Sequence, residues 1–219
     1  MITKKSSKPT IRTGMYVENG HFAGRSFRSA ETFEASDIET VYSMAAGARK
    51  SFTRGPGGVA FRHVVTLANQ SVHASPLLNH DAMLAVDRAL TERVIQPRVK
   101  AALAEIEAGH EVRFRCFKER DARKRKTVLY TVVLTQKSIH HEDKRGIVMI
   151  EWKDLARLGA YVQRNAICSW RLIAKDLKDG RSPSSASSIE LLFCNQIEDF
   201  LVMDSLIRLL LGIHSRRLS

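Results

Sequence analysis

Residues Glu111 to Asp154 read EVRFRCFKERDARKRKTVLYTVVLTQKSIHHEDKRGIVMIEWKD, three apolar-rich runs parted by two charged turns. Val112, Phe114 and Cys116 alternate with Arg113 and Arg115, the period-two pattern of a strand with one face in the core. Thr127 to Leu134 is almost unbroken in β-branched, aromatic and aliphatic residues, as in a central strand covered on both faces. Ile147 to Trp152 is a third short run, entered through Lys144-Arg145-Gly146. Short connections make neighbouring strands antiparallel, so the stretch predicts a three-stranded meander.

The first turn holds Lys118, Arg120, Arg123, Lys124, Arg125 and Lys126 against Glu119 and Asp121 alone. So many like charges at one tip repel each other unless an anion lies against them. The whole chain, 219 residues, carries a net charge of +12, a balance that favours polyanions, nucleic acid before an anionic membrane surface. Arg113, Arg115, Lys118, Arg120, Arg123, Lys124, Arg125, Lys126, Lys144 and Arg145 are therefore the candidate nucleic-acid-binding residues. Few aromatics accompany them (Phe114, Phe117, Tyr130), which points to phosphate contacts more than base readout. The expected partner is DNA before RNA. An acidic protein docking on the same tip is the interaction-only alternative.

The rest of the chain is expected to surround this meander in an α+β fold. Residues 1–12 form a basic, acid-free arm, and 13–78 a hairpin, a helix and a strand. Asn19-Gly20 between short apolar runs predicts the hairpin, because both residues tolerate positive φ. Ser36-Asp37-Ile38-Glu39 has capping-box form and predicts a helix from Asp37 to about Lys50, with Ile38, Val41, Tyr42 and Ala45 on one face. Arg54-Gly55-Pro56-Gly57-Gly58 lacks the GxxxxGK[ST] spacing of a phosphate loop and reads as an ordinary turn before a strand at Val59–Leu67. Residues 79–179 make a helix–meander–helix core. Its first helix runs from about Ala82 to Ala108, is broken or kinked at Pro97 and is closed by Gly109. Leu155, Leu158, Val162, Ala166, Trp170, Ile173 and Leu177 recur at helical spacing and predict its last helix.

A Ser-rich linker, 180–188, then leads to an apolar C-terminal helix over 189–219, opened by a capping box at Ser187–Glu190. Its apolar face is wider than one core contact needs, so it either pairs with a second copy as a homodimer or folds back on the meander. Acidic and basic residues interrupt this stretch, so no membrane span is expected, and no secretory leader is visible. Cys116, Cys168 and Cys194 fall in apolar patterns, as buried thiols of a reducing, cytoplasmic compartment would. Arg123–Lys126 would serve as a nuclear signal in a eukaryotic cell.

The order helix, three strands, helix resembles the topology of double-stranded-RNA-binding domains. The lysines expected at the start of that family's last helix are replaced by Asp154-Leu155-Ala156-Arg157-Leu158. The order also resembles nucleases of the restriction-endonuclease-like class, whose third strand carries an acid, one residue, then lysine. Here that position reads Glu151-Trp152-Lys153. This resemblance implies a metal held by Glu151 beside Lys153, and it asks for a second carboxylate on the middle strand, where Thr127–Gln136 has none. His140-His141-Glu142-Asp143 reads as a solvated turn, since adjacent ligand types rarely converge on one ion. The expectation is thus a nucleic-acid-binding protein, regulatory or accessory to DNA transactions, with no catalytic residue, metal or cofactor. The enzyme alternative is a metal-dependent nuclease using Glu151 and Lys153.

Overall fold

The computed structural model describes residues 11–12, 14–25, 30–45, 61–75, 80–118, 127–163, 166–174, 188–190 and 196–217. The fold is mixed α+β. Residues 1–10 of the basic arm, the Arg54–Gly58 loop, most of the Ser-rich linker and the hairpin tip at 119–126 lie outside the described residues, whereas Ile11 and Arg12 of the arm form a strand.

The N-terminal hairpin forms as its sequence predicts. Strands β2 (Met15–Glu18) and β3 (His21–Arg25) pair across Asn19 and Gly20, whose φ angles are 48° and 83°. Strand β4 (Ala30–Phe33) adds to β3. A second sheet has the order β1-β7-β6-β5, from β1 (Ile11–Arg12), β7 (Val72–Ala74), β6 (Phe61–Leu67) and β5 (Ile38–Ala45).

The helix expected over 37–50 is therefore strand β5. The reciprocal capping pair is Glu34 with Asp37, and it closes a single 3-10 turn at Ala35–Asp37. A register shift between Ile38 and Thr40 then brings Ile38 and Val41 into the same buried cluster. Tyr42 points the other way, into a smaller cluster with Val64, Val72, Ala74 and Phe117. A bulged strand buried on both faces thus imitates helical spacing.

Helix α1 (His80–Leu90) passes through a π-helical turn at Thr91–Ile95 into α2 (Gln96–Glu107). Pro97 follows the π turn, and its missing N–H leaves one helical bond unmade, so the helix departs from α geometry just before it. Gly109, at φ 89°, ends the helix: its N–H bonds the Ile106 carbonyl and the His110 N–H bonds that of Glu105.

The central meander has four strands, not three: β8 (Val112–Phe117), β9 (Val128–Leu134), β10 (Ser138–Asp143) and β11 (Gly146–Glu151), each antiparallel to the next. Strand β10 contains the segment expected to be a turn. Ser138 and Ile139 are buried, and the His141 ring packs on Tyr130 at 4.2 Å between centroids. One face of this sheet is solvated, so a strand rich in His, Glu and Asp is tolerated.

The helix expected over Leu155–Leu177 is a hairpin, β12 (Leu155–Gln163) and β13 (Ala166–Ala174), with β14 (Ser188–Glu190) added. Register shifts at Leu155/Arg157 and Tyr161/Val162 break the alternation twice, producing another false helical period. With that helix goes the shared topology with the two nucleic-acid families.

Helix α3 (Phe200–Arg217) starts about three turns later than expected and folds back on the core. Phe200, Val202, Met203, Leu206, Ile207 and Leu210 are buried in one cluster with Met15, Leu90, Ile106 and Leu134. Residues Gln196 to Asp199 dock this helix. Phe117 N–H bonds the Gln196 carbonyl, Cys116 bridges Ile197, and Glu198 N–H bonds the Arg115 carbonyl, so the segment covers the β8 edge. No described helix is long and apolar enough to cross a membrane.

Asp199 ties three elements together. Its carboxylate accepts from Arg98 of α2 at 2.8 and 2.9 Å and from Val41 N–H of β5 at 2.9 Å. Its own N–H bonds the Val41 carbonyl, and its carbonyl accepts the first amides of α3. Arg98 also donates to the Ile38 carbonyl. Burial raises the Asp199 carboxyl above its ordinary pKa, against the pull of Arg98 and Val41.

Arg98→Ala leaves that half-buried carboxylate without its cation and is expected to cost about 2 kcal/mol at neutral pH. The variant's Asp199 pKa rises further, so the folded state takes up the proton more readily than the unfolded one. The deficit should therefore shrink as pH falls through the raised value. Urea unfolding of both proteins at about pH 7 and about pH 4 measures it. A deficit no smaller at the lower pH would be the wrong sign.

Candidate nucleic-acid interface

The up-down order of β8, β9, β10 and β11 sends two connections to the same end of the sheet. One leaves at Lys118 and returns at Thr127, and the Lys118 N–H bonds the Thr127 carbonyl. The other is the turn Lys144-Arg145, whose Arg145 N–H is held by the Asp143 carboxylate at 2.7 Å. Lys118, Lys144 and Arg145 are exposed. The connections lie two strand spacings apart, about 10 Å. Arg120, Arg123, Lys124, Arg125 and Lys126 belong to the first connection and lie outside the described residues.

Arg113 and Arg115 project from the solvated face of β8, and carboxylates occupy both. Arg113 bonds Glu111 at 2.8 Å and Glu142 at 2.7 Å. Arg115 bonds Glu198 at 2.8 Å and lies over the Phe117 ring at 5.7 Å. Hydrogen bonds to these carboxylates raise both guanidinium pKa values above their usual level. An anionic ligand must compete with Glu142 and Glu198 for these two cations. Among the described residues, no carboxylate side chain pairs with the side chains of Lys118, Lys144 or Arg145.

Glu151 and Lys153 are at the opposite end, and the structure does not set them out as the nuclease pattern requires. β11 ends at Glu151, and Lys153 lies in a 3-10 turn, Trp152–Asp154, so the two do not share a strand face. They bond each other at 2.8 Å, which lowers the Glu151 pKa and raises that of Lys153. Ser138 stands opposite Glu151, while Glu142 is paired with Ile147 further along β10. Among the described residues no group of three or more His, Cys, Asp or Glu side chains is placed to hold a metal.

One polar array escaped the sequence reading. Ser43 and His63 are paired across β5 and β6, and Ser43 Oγ lies 3.3 Å from His63 Nδ1. His63 Nε2 lies 2.7 Å from an Asp87 oxygen on α1, and the His63 N–H donates to Ser75 Oγ. The set has the composition of a hydrolytic triad with its exposure reversed: Ser43 is 1% exposed, whereas the Asp87 side chain is 38% exposed. A nucleophile must reach its substrate. The array instead satisfies a buried imidazole where α1 crosses the sheet. Only strand pairing brings Ser43 to His63, so spacing along the chain carried no sign of it.

No protein-family model matches this chain, and no curated protein matches it.

With magnesium or manganese present, duplex and single-stranded DNA are expected to remain intact over hours of incubation with the protein. Gel analysis of labelled strands checks this. Metal-dependent cleavage lost in Glu151→Ala would reinstate the nuclease reading.

Proposed function

We propose that this chain binds nucleic acid, DNA before RNA, through the end of the four-stranded sheet that carries Lys118, Lys144 and Arg145. The binding is non-catalytic and serves a regulatory or accessory role. The observation that carries the proposal is the meander topology. It sends the Lys118–Thr127 connection, with Arg120, Arg123, Lys124, Arg125 and Lys126 in its sequence, to the same end as the Lys144-Arg145 turn. The net charge of +12 supplies the long-range attraction. Phosphate contacts of this kind carry affinity and little sequence information.

Binding to a labelled duplex and a labelled single strand over a salt series tests the proposal. Each lost phosphate contact lowers the slope of log affinity against log salt by about 0.9 on duplex DNA. Lys144→Ala with Arg145→Ala is expected to lower it by about 2, and alanine at Arg123, Lys124, Arg125 and Lys126 by more. Arg113→Ala with Arg115→Ala is expected to change it by less than Lys144→Ala with Arg145→Ala does, because carboxylates already hold those two. Unchanged affinity and slope in the first two variants, with circular dichroism intact, would refute the proposal.

A further inference from the structure

The two edges of the central sheet differ. Gln196 to Glu198 covers β8. Among the described residues β11 is the terminal strand on the other side, and β13 and β14 pass near it without joining its ladder. The Trp152 N–H bonds the Lys137 carbonyl, which fixes the phase of the β10–β11 ladder. Hydrogen-bonded pairs alternate along an antiparallel ladder, so the backbone polar groups of Ile147 and Met149 point away from β10.

Those same residues carry the most exposed large hydrophobic side chains among the described ones, Ile147 at 65% and Met149 at 56%. Natural edge strands are usually blunted by a proline, a bulge or a charge within the strand. Gly146-Ile147-Val148-Met149-Ile150 has none of these, and its register with β10 is unbroken.

The strand is also complementary to itself. With a two-fold axis at Val148, antiparallel pairing sets Ile147 against Met149 of the second copy, and Met149 against its Ile147. Arg145, in the turn just before the strand, then faces Glu151 of the second copy at both ends, where it shares that carboxylate with Lys153, and the outward amides of Ile147 and Met149 meet as hydrogen-bonded pairs. Moving the axis to Met149 keeps Met149 against Met149 but sets Ile147 against Glu151 and Arg145 against Lys153. We propose that two copies of this chain associate by antiparallel β11–β11 pairing centred on Val148, joining their four-stranded sheets into one. The second copy is the occupant because apolar residues and charges are matched at once by this strand's own sequence. The proposal does not depend on nucleic-acid binding.

Sedimentation of the full-length protein from about 1 to about 100 µM, where strand-edge dimers of moderate affinity form, tests the pairing. The wild type is expected to dimerise across this range. Ile147→Lys and Met149→Pro are each expected to raise the dimer Kd by about tenfold or more. The proline removes only an outward amide, so the β10 ladder survives, and Ile147→Lys decides if that variant misfolds. Arg145→Glu and Glu151→Arg should each weaken the dimer, and the double swap should restore it. A wild type that stays monomeric throughout, as when β14 of the same chain takes the edge, would overturn the proposal. So would a dimer indifferent to Ile147→Lys, or a double swap that fails to recover.

Discussion

The Asp199 carboxylate, half-buried against Arg98 and the Val41 amide, is the contact on which the arrangement of layers depends. It joins β5 of one sheet to α2, and its own carbonyl starts α3. The three residues before it close the β8 edge of the other sheet. A partly buried ion pair of this kind contributes little net stability relative to apolar packing, but losing one partner is costly. Its role is therefore registration. Asp199 adopts φ 49°, a left-handed conformation that asparagine and aspartate tolerate better than most residues, so the chain can turn from strand pairing into a helix within one residue.

That registration also shapes the electrostatic surface. Docking Glu198 beside β8 neutralises Arg115, and β10 brings Glu142 to Arg113. A count of cations along the sequence therefore overstates the field on the sheet face. The two basic connections run to the same end because the meander has an even number of strands. The fourth strand, unseen in the sequence, puts the two basic connections at one end.

Local signals with one physical cause were legible. Asn19-Gly20 needs positive φ and Gly109 closes a helix, each where its chemistry predicts, and the helix expected to break or kink at Pro97 passes through a π turn just before it. Longer patterns failed where a bulge shifted the phase of a strand. Ile38 and Val41, and the run from Leu155 to Ile173, show three-residue spacing because their ladders are irregular. β10 was missed because His140 to Asp143 look like turn residues until the solvated sheet face is known. Arg98–Asp199 and Ser43–His63–Asp87 join residues far apart in the chain, and no spacing rule reaches them. The α3 face was read correctly as apolar, but its partner is this chain's own core.

Backbone amide shifts of the protein, followed as a short duplex is added, bear most directly on the binding account. Lys118, Thr127 and Lys144 to Gly146 should move together and saturate at one affinity, while Lys137, Glu151 and Lys153 at the opposite end stay still. Perturbations centred on Lys137 and Lys153, or none at the Lys118 and Lys144 end, would contradict it.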